Sequence, residues 1–392
     1  MQHRQFGKLD WKVSALGFGC MRLPTRGSRE EIDDPQAMRM LHYAIDHGVN
    51  YLDTAYGYHG GNSERFLGRA LRGGYRDKVG LATKLPCREV RERSDFDRLL
   101  NEQLSKLQTE HIDFYLLHGL RRERWELVRP LGVKTWLERA KADGRIGHTG
   151  FSFHDTFDAL KQIIDDYQGW DFCQIQYNYM NEDYQAGTRG LQYAASKGLG
   201  VVVMEPLLGG RLVDPPPAVQ ALLDRAQWKR SPAEWGLQWV WNHPEVSVVL
   251  SGMSTMQQVQ ENVASADRSG VGTLSKTELD LIGMVRDVYQ SLSAVPCTAC
   301  AYCMPCPNGV DIPRSLTTLN MGIMYGSLDE ARRRYVHRMS DQDESILASS
   351  CVQCRQCEDK CPQGILISEW MAYIHQVLGE GRPYVRGEAP SS

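Results

Sequence analysis

A chain of 392 residues has room for one large domain of about 250–300 residues and a smaller one. Its apolar and charged fractions, 42% and 24%, are those of a soluble globular protein, and a net charge of −3 argues against nucleic acid or an anionic membrane as partner. The N-terminus, MQHRQFGKLDW, lacks the apolar core of a signal peptide, and no run approaches the roughly 18 apolar residues of a membrane span, so the expected location is cytoplasmic.

Residues 4–19 read as a short hairpin leading into a strand near Val13–Gly19. Seven further strand-like runs follow: Val49–Asp53, Val79–Lys84, Ile112–Leu117, Ile146–Phe151, Phe172–Tyr177, Gly200–Met204 and Val246–Leu250. Helical patterns lie between them, near Pro35–His47, Ser63–Leu71 (with Ser63 as N-cap), Asp95–Leu107, Val133–Asp143, Thr156–Asp165, Tyr184–Lys197, Pro232–Asn242 and Thr255–Ala266. Near-continuous apolar strands spaced by helices predict a parallel sheet covered on both faces. Eight such units within the first 265 or so residues predict an α/β fold, a closed (β/α)8 TIM barrel rather than an open sheet. Pro215–Pro217 marks a loop, and a helix over Ser275–Ser291 packs on as an appendage. The composition changes at Pro296, which places a barrel at 1–292, a small, mainly helical domain at 293–380 (helices Ser315–Tyr325 and Leu328–Arg338), and a flexible tail at 381–392.

Three barrel strands end in residues with chemistry. Asp53, Lys84 and His118 each close an apolar run, and Tyr56 and Tyr58 stand in the Gly-rich turn after Asp53. In a barrel these C-terminal ends open on one face, so residues far apart in sequence converge. A phenol with a pKa of about 10 is a poor proton donor unless its anion is stabilised; a neighbouring ammonium does that, and a carboxylate keeps the ammonium charged. A neutral histidine across the pocket can orient a carbonyl oxygen. Asp53, Tyr58, Lys84 and His118 thus read as a proton-donating assembly for a carbonyl that receives hydride, with Tyr58 ahead of Tyr56 for the phenol.

Eight of the eleven cysteines fall in two groups: Cys297, Cys300, Cys303 and Cys306 followed by Pro307, and Cys351, Cys354, Cys357 and Cys361 followed by Pro362. Such spacing points to metal in a reducing compartment, and three equally spaced cysteines with a fourth before proline are the iron–sulfur run, not the paired units of zinc. In two-cluster ferredoxins the cysteine before proline ligates the other cluster. That assigns Cys297, Cys300, Cys303 and Cys361 to one [4Fe–4S] cluster and Cys351, Cys354, Cys357 and Cys306 to the second, with one cubane per group as the alternative. Cys20, Cys87 and Cys173 read as plain barrel thiols.

Over roughly residues 4–265 the sequence resembles the aldo-keto reductase family. The resemblance is carried by Leu-Gly-Phe-Gly-Cys-Met at 16–21, Asp-Thr-Ala with Tyr58 five residues after Asp53, Thr83-Lys84, Ile-Asp-Phe-Tyr-Leu-Leu-His at 112–118, Gly-Phe-Ser at 150–152, Gln174, Pro206-Leu207 and Glu261-Asn262. Tyr-Cys-Met-Pro-Cys-Pro at 302–307 is similar to the subgroup with a C-terminal two-cluster domain. The resemblance implies Tyr58 as general acid, tuned by Lys84 and Asp53, and His118 as orienter of the carbonyl. It also implies a nicotinamide, NADP(H) or NAD(H), across the barrel mouth, its carboxamide held by Ser152 and Gln174. Further implied contacts are Gly19, Met21, Arg22, Met204, Pro206, Leu207, Ser251, Gly252, Gln258, Glu261 and Asn262.

The chain departs from the family at Ser152-Phe153, where Ser-Asn is common, and at Met204-Glu205, where an aromatic residue often stacks on the nicotinamide. The segment Ser-Gly-Met-Ser-Thr-Met-Gln-Gln at 251–258 lacks the basic residues that often grip a 2′-phosphate, leaving Arg22 and Arg211 as phosphate candidates. The expected function is an oxidoreductase moving hydride between a nicotinamide and a small carbonyl or alcohol substrate, with two clusters appended. Two alternatives stand beside it. One is a flavin-linked enzyme, with FMN where nicotinamide would lie, coupling the clusters to two-electron chemistry and exchanging electrons with a redox partner protein; the other is an electron-transfer or binding subunit without catalysis.

Overall fold

The computed structural model describes residues 1–339 and 346–390. They form two compact units, one of residues 1–209 and 233–279, the other of residues 210–232 and those from 280 onward. In the first, β1 (His3–Gln5) and β2 (Lys12–Ser14) pair antiparallel, and eight parallel strands close into a barrel. These are β3 (Leu16–Gly19), β4 (Tyr51–Asp53), β5 (Gly80–Leu85), β6 (Ile112–Leu120), β7 (Ile146–Phe153), β8 (Phe172–Gln176), β9 (Gly200–Met204) and β10 (Val248–Gly252). They stand in chain order around the ring, and β10 returns to β3 with Val249 beside Leu16 and Gly252 beside Gly19. The expected (β/α)8 barrel is the fold.

Burial explains the uninterrupted apolar runs. Every residue of β5 and β8 is buried, because side chains on one face fill the barrel and those on the other meet helices. The helix Ser94–Leu107, for example, buries Phe96, Leu99, Leu100 and Leu107. The hairpin closes the N-terminal end. Phe6 is fully buried, with ring centroids 6.0, 5.1 and 5.6 Å from Tyr51, Phe114 and Phe172. Gly7 lets it approach: at φ 54° a Cβ there would stand 2.3 Å from the Gly200 nitrogen. With the floor plugged, the mouth at the strands' C-terminal ends is where ligands enter.

Helices fall where periodicity placed them, apart from Ile367–Ile374, for which no pattern is read, and two unanticipated ones inside loops, Arg122–Val128 and Pro217–Leu223. Each is only seven residues long and buries just two side chains, Trp125 and Val128 in one, Val219 and Leu223 in the other. Two anchors make too short a pattern to read. Ser63 is not an N-cap. The helix Asn62–Ala70 starts behind Gly61, which takes a left-handed φ of 90°, and no side chain caps it. The Ser63 hydroxyl turns inward to Thr54 Oγ1 (2.8 Å) and the Cys20 carbonyl (3.2 Å).

The second unit takes in the helix Lys276–Ser291 from residue 280 on, a segment that the sequence reading attaches to the barrel. It also contains helices Ile312–Met324, Leu328–Arg333 (continued by a wider turn over Arg334–Met339) and Ile367–Ile374. Its core includes Val310, Leu316, Leu319, Trp370 and Ile374, and Cys297, Cys303, Cys306, Cys351, Cys357 and Cys361 pack against it. The expected flexible tail is tied down in its first part: the Arg332 guanidinium donates to the carbonyls of Gly381 and Arg382, and the Tyr373 hydroxyl donates to the Val385 carbonyl. Residues 391–392 lie outside the described residues. No described helix is long and apolar enough to cross a membrane.

Candidate active site

Four side chains meet at the C-terminal mouth of β4, β5 and β6. Lys84, near the end of β5, donates from Nζ to Asp53 Oδ1 at 2.7 Å and to the Thr54 carbonyl at 2.7 Å. Both members of the ion pair are buried, at 1% and 3% exposure. The same ammonium lies within hydrogen-bonding reach of the Tyr58 hydroxyl and 5.1 Å from that ring's centroid. The His118 ring, from β6, stands edge-on to Tyr58 with centroids 6.2 Å apart. Tyr56 points elsewhere: its hydroxyl bonds both Glu102 carboxylate oxygens at 3.1 Å, and Lys106 sits 3.8 Å over its ring.

Electrostatics assigns states to these groups. Burial pulls Lys84 down, but Asp53 and Tyr58 outweigh it, so the ammonium stays charged above its ordinary value. Burial raises Asp53, opposed by the attraction of Lys84. Tyr58 is raised chiefly by burial, against the pull of Lys84, so the phenol keeps its proton at neutral pH. His118 is lowered to about 3, mainly by burial and then by Lys84, which leaves a neutral imidazole. A buried layer supports Lys84 from behind. Gln103 donates to the Lys84 carbonyl at 3.0 Å and to Glu64 at 2.6 Å, Thr83 donates to the same Glu64 oxygen at 2.6 Å, and Tyr115 donates to Gln103 at 2.6 Å.

The residues assigned to a dinucleotide occupy the other side of the ring, on β7 to β10 and β3. Ser152 and Gln174 are register partners on β7 and β8. Ser152 Oγ accepts the Gly119 amide at 2.7 Å. Gln174 donates to Asp53 Oδ2 at 3.4 Å, while its Oε1 is buried with no hydrogen-bond partner. An unsatisfied buried acceptor costs about 1–3 kcal/mol, which a ligand amide would relieve. This fits a nicotinamide carboxamide. Gly19 and Gly252 are paired at the strand ends, and the Arg22 side chain packs over Gly252, where a Cβ would stand 3.1 Å from Arg22 Cδ. Met204 and Leu207 are half-buried, Pro206 is buried, and Met21 and Arg22 are exposed at the rim. Ser254 Oγ donates to the Arg22 carbonyl at 2.7 Å, joining the loops after β3 and β10. Asn262 donates to Ser251 Oγ at 3.0 Å, Gln258 accepts the Ser254 amide at 2.8 Å, and Glu261 accepts from Gln257 at 2.8 Å. Arg211, a phosphate candidate from sequence, belongs to the second unit and bonds Glu330 at 2.6 Å.

In the second unit the two cysteine runs share one backbone design. Ala299 and Ala301 have φ of 54° and 62°; Gln353 and Arg355, at the same places in the other run, have 56° and 61°. Left-handed non-glycine residues cost on the order of 1–3 kcal/mol each and persist where the surroundings demand them. Here they curl each run so that amides face sulfur: the Ala299 N–H donates to Cys297 Sγ at 3.4 Å, and the Gln353 N–H serves Cys351 likewise. The thiols gather crosswise, Cys361 within electrostatic reach of Cys297 and Cys303, and Cys306 of Cys351. Six of the eight cysteines pack against the core while Cys300 and Cys354 are exposed, and the run spacing with amide donors to sulfur suits iron–sulfur clusters.

Residues 15–276 match the aldo/keto reductase family, and residues 296–366 match a 4Fe-4S dicluster domain. The chain belongs to the aldo/keto reductase family. It is 26% identical over 314 residues to L-galactose dehydrogenase of Arabidopsis thaliana, covering 74% of this chain and 93% of that protein. With 6-dehydroglucose reductase of Novosphingobium aromaticivorans it shares 28% identity over 281 residues, 66% of this chain and 88% of the relative. An aldo-keto reductase from Bacillus halodurans in its holo form superposes with a TM-score of 0.61 at 27% identity, over 73% of this chain and 96% of that one. This aldo/keto reductase therefore adds a dicluster domain to an oxidoreductase barrel.

Sequence reading missed several residues that shape the site. Glu64 and Gln103 are polar yet buried, and on a helix they read as ordinary surface positions; Thr83, singled out beside Lys84 in sequence, bonds Glu64 from β5. Cys20 lies near Asp53 and Lys84 with its thiol pushed well up by burial, and Cys87 accepts the His118 backbone N–H. His59 bonds the Arg29 carbonyl through Nδ1 at 2.6 Å and holds a left-handed φ of 53° beside Tyr58. Only its turn context, Tyr-His-Gly-Gly, hinted at unusual backbone.

Proposed function

We propose that the barrel interconverts a carbonyl and an alcohol with NADP(H) or NAD(H), Tyr58 acting as general acid and base, and that the second unit carries two cross-ligated [4Fe–4S] clusters. Nicotinamide, when bound, supplies the hydride for reduction or takes it in oxidation. Tyr58 holds the proton that the carbonyl oxygen takes up as the carbon is reduced. The charged Lys84, anchored by Asp53 and the Thr54 carbonyl, stabilises the phenolate left behind. Neutral His118, edge-on to Tyr58, orients the substrate oxygen by a hydrogen bond. Gln174, through its unpartnered Oε1, and Ser152 would hold the carboxamide; Ser251, Gly252, Gln258, Glu261, Asn262, Gly19, Met21, Arg22, Met204, Pro206 and Leu207 would line the rest of the dinucleotide path. The observation that carries this reading is the single buried ammonium shared by Asp53, Thr54 and Tyr58 at the mouth of the barrel. Relatives named for galactose and dehydroglucose chemistry agree with a carbonyl or alcohol substrate.

For the clusters, Cys297, Cys300, Cys303 and Cys361 would bind one, and Cys351, Cys354, Cys357 and Cys306 the other; the crosswise proximity of Cys361 and Cys306 supports this grouping. Absorbance of anaerobically purified protein tests both halves. A broad cluster shoulder without a flavin band, with NADPH or NADH consumed when an aldehyde is added, is the expected result. A flavin band, or no nicotinamide oxidation with any aldehyde, would contradict it.

A further inference from the structure

The loops that follow β5 and β6 bring three arginines near His118 and its neighbour His154, Arg88 and Arg124 acting on His118 and Arg121 on His154. Arg124 is partly buried, and its guanidinium donates to the carbonyl of Gly119, next to His118, at 2.6 Å. Arg88 follows Cys87, whose sulfur accepts the His118 backbone N–H. Arg121 precedes the helix Arg122–Val128, whose first amide is fixed by Asp155 at 2.9 Å, and the neighbouring His154 amide bonds the Leu120 carbonyl at 3.1 Å. These groups form one electrostatic patch: His118 feels Arg88 and Arg124, and His154 feels Arg121 and Arg124.

Carboxylates do not neutralise the patch. Among the described residues none of the three arginines has an ion-pair partner; Glu123 acts on Arg124 and Glu205 on His154 only at longer range. Lys84, the other nearby cation, is committed to Asp53. Some barrel arginines are paired, as Arg76 with Asp113, Arg98 with Asp95 and Arg145 with Asp97 and Asp143, and others such as Arg29, Arg39 and Arg65 have no ion pair among the described residues; what sets these three apart is that they lie on neighbouring loops at the barrel mouth. Gathering like charges on neighbouring loops is unfavourable in itself, and it raises the local concentration of an oppositely charged ligand. Guanidinium also offers the planar fork that grips carboxylate or phosphate through two bonds. The patch adjoins the carboxamide end of the assigned dinucleotide path, where Ser152 bonds the Gly119 amide, and lies away from the rest of that path. In the ring order β5 and β6 lie opposite β9 and β10, where the dinucleotide path is assigned.

We propose that the substrate is an anionic carbonyl compound, its carboxylate or phosphate held by Arg88, Arg121 and Arg124 while its carbonyl sits between Tyr58 and His118. The proposal rests on the barrel being a carbonyl-reducing site. It is tested on the full-length protein with matched probes: 4-carboxybenzaldehyde against methyl 4-formylbenzoate, and glyceraldehyde 3-phosphate against glyceraldehyde. The anionic member of at least one pair should have kcat/KM higher by about tenfold or more, a preference that shrinks with salt. Which pair shows the preference identifies the anion. The Arg88→Gln/Arg121→Gln variant, altering two exposed side chains, should lower that ratio about tenfold, and Arg88→Lys/Arg121→Lys should restore part of it. Equal kcat/KM within both pairs, or a ratio that the Gln variant leaves unchanged, would overturn the proposal. Turnover of neither member would instead mark the failure of the reductase reading. Calorimetry then decides the anion site separately: binding of 4-carboxybenzaldehyde that the Gln variant loses supports it, and absent or unaltered binding overturns it.

Discussion

Replacing Lys84 by Met isolates the energetics of the site. The substitution keeps an unbranched side chain of similar length and removes only the ammonium, leaving Asp53 with the single 3.4 Å contact from Gln174 in a site 3% exposed. Removing one partner of a buried ion pair costs about 3–5 kcal/mol, because the other charge stays buried and uncompensated. At roughly 2 °C per kcal/mol for a domain of this size, the barrel melting transition should fall by about 6–10 °C near pH 7. The loss must depend on pH. Without Lys84 the folded-state value of Asp53 rises further above its unfolded value, so the carboxyl is tolerated when protonated and penalised when charged. The variant's stability is therefore retained below the unfolded value of about 3.9 and lost as pH rises through the folded one, and its deficit relative to wild type shrinks in acid. Adding Asp53→Asn should recover most of the stability at neutral pH and none of the activity. Tryptophan-fluorescence melts of the three proteins at about pH 5 and pH 7.5 measure this. A double variant no more stable than Lys84→Met, or a deficit that does not change with pH, would refute the buried-pair account.

Other outcomes follow from the same geometry. With His118 lowered to about 3, its imidazole is charged only in strong acid, so kcat/KM should show no inflection from it between about pH 5 and pH 8; an inflection near pH 6.5 that His118→Gln abolishes would contradict the neutral assignment. Tyr56→Phe should leave turnover within about twofold of wild type, since its hydroxyl serves Glu102 and contributes only about 1 kcal/mol of hydrogen bonding. Cys361→Ala and Cys297→Ala should lose the same cluster by electron paramagnetic resonance, and Cys306→Ala the other one. Pairing of Cys361 with the 351–357 run by that criterion would restore the one-cubane-per-group arrangement.

The parts legible from sequence were those governed by period and by chemistry at strand ends. Val49–Asp53 and Ile112–Leu117 announce strands because both faces are buried, and a charged residue at the end of each run has nowhere to go but the mouth. The Glu102 and Lys106 side chains, which come from a helix some 45 residues away, engage Tyr56 and so favour Tyr58 as the phenol. The support behind Lys84 was not legible. Glu64, Thr83 and Gln103 become a buried layer only once helices Asn62–Ala70 and Ser94–Leu107 pack against β5, and a polar residue on a helix carries no mark of such burial. Ser63 misled for a related reason. Its hydroxyl had two uses, capping or bridging Thr54 to Cys20, and the left-handed turn at Gly61 settled the matter in favour of the bridge. Arg88, Arg121 and Arg124 look like solvated charges in sequence, and only the folded loops set them near His118 and His154.

The central claim is that Tyr58 delivers the proton. Tyr58→Phe, purified anaerobically and assayed with NADPH or NADH and the best aldehyde found for wild type, should lose about 10²–10⁴ in kcat while keeping the wild-type cluster spectrum and nucleotide affinity. A variant that turns over within a few-fold of wild type would contradict the account.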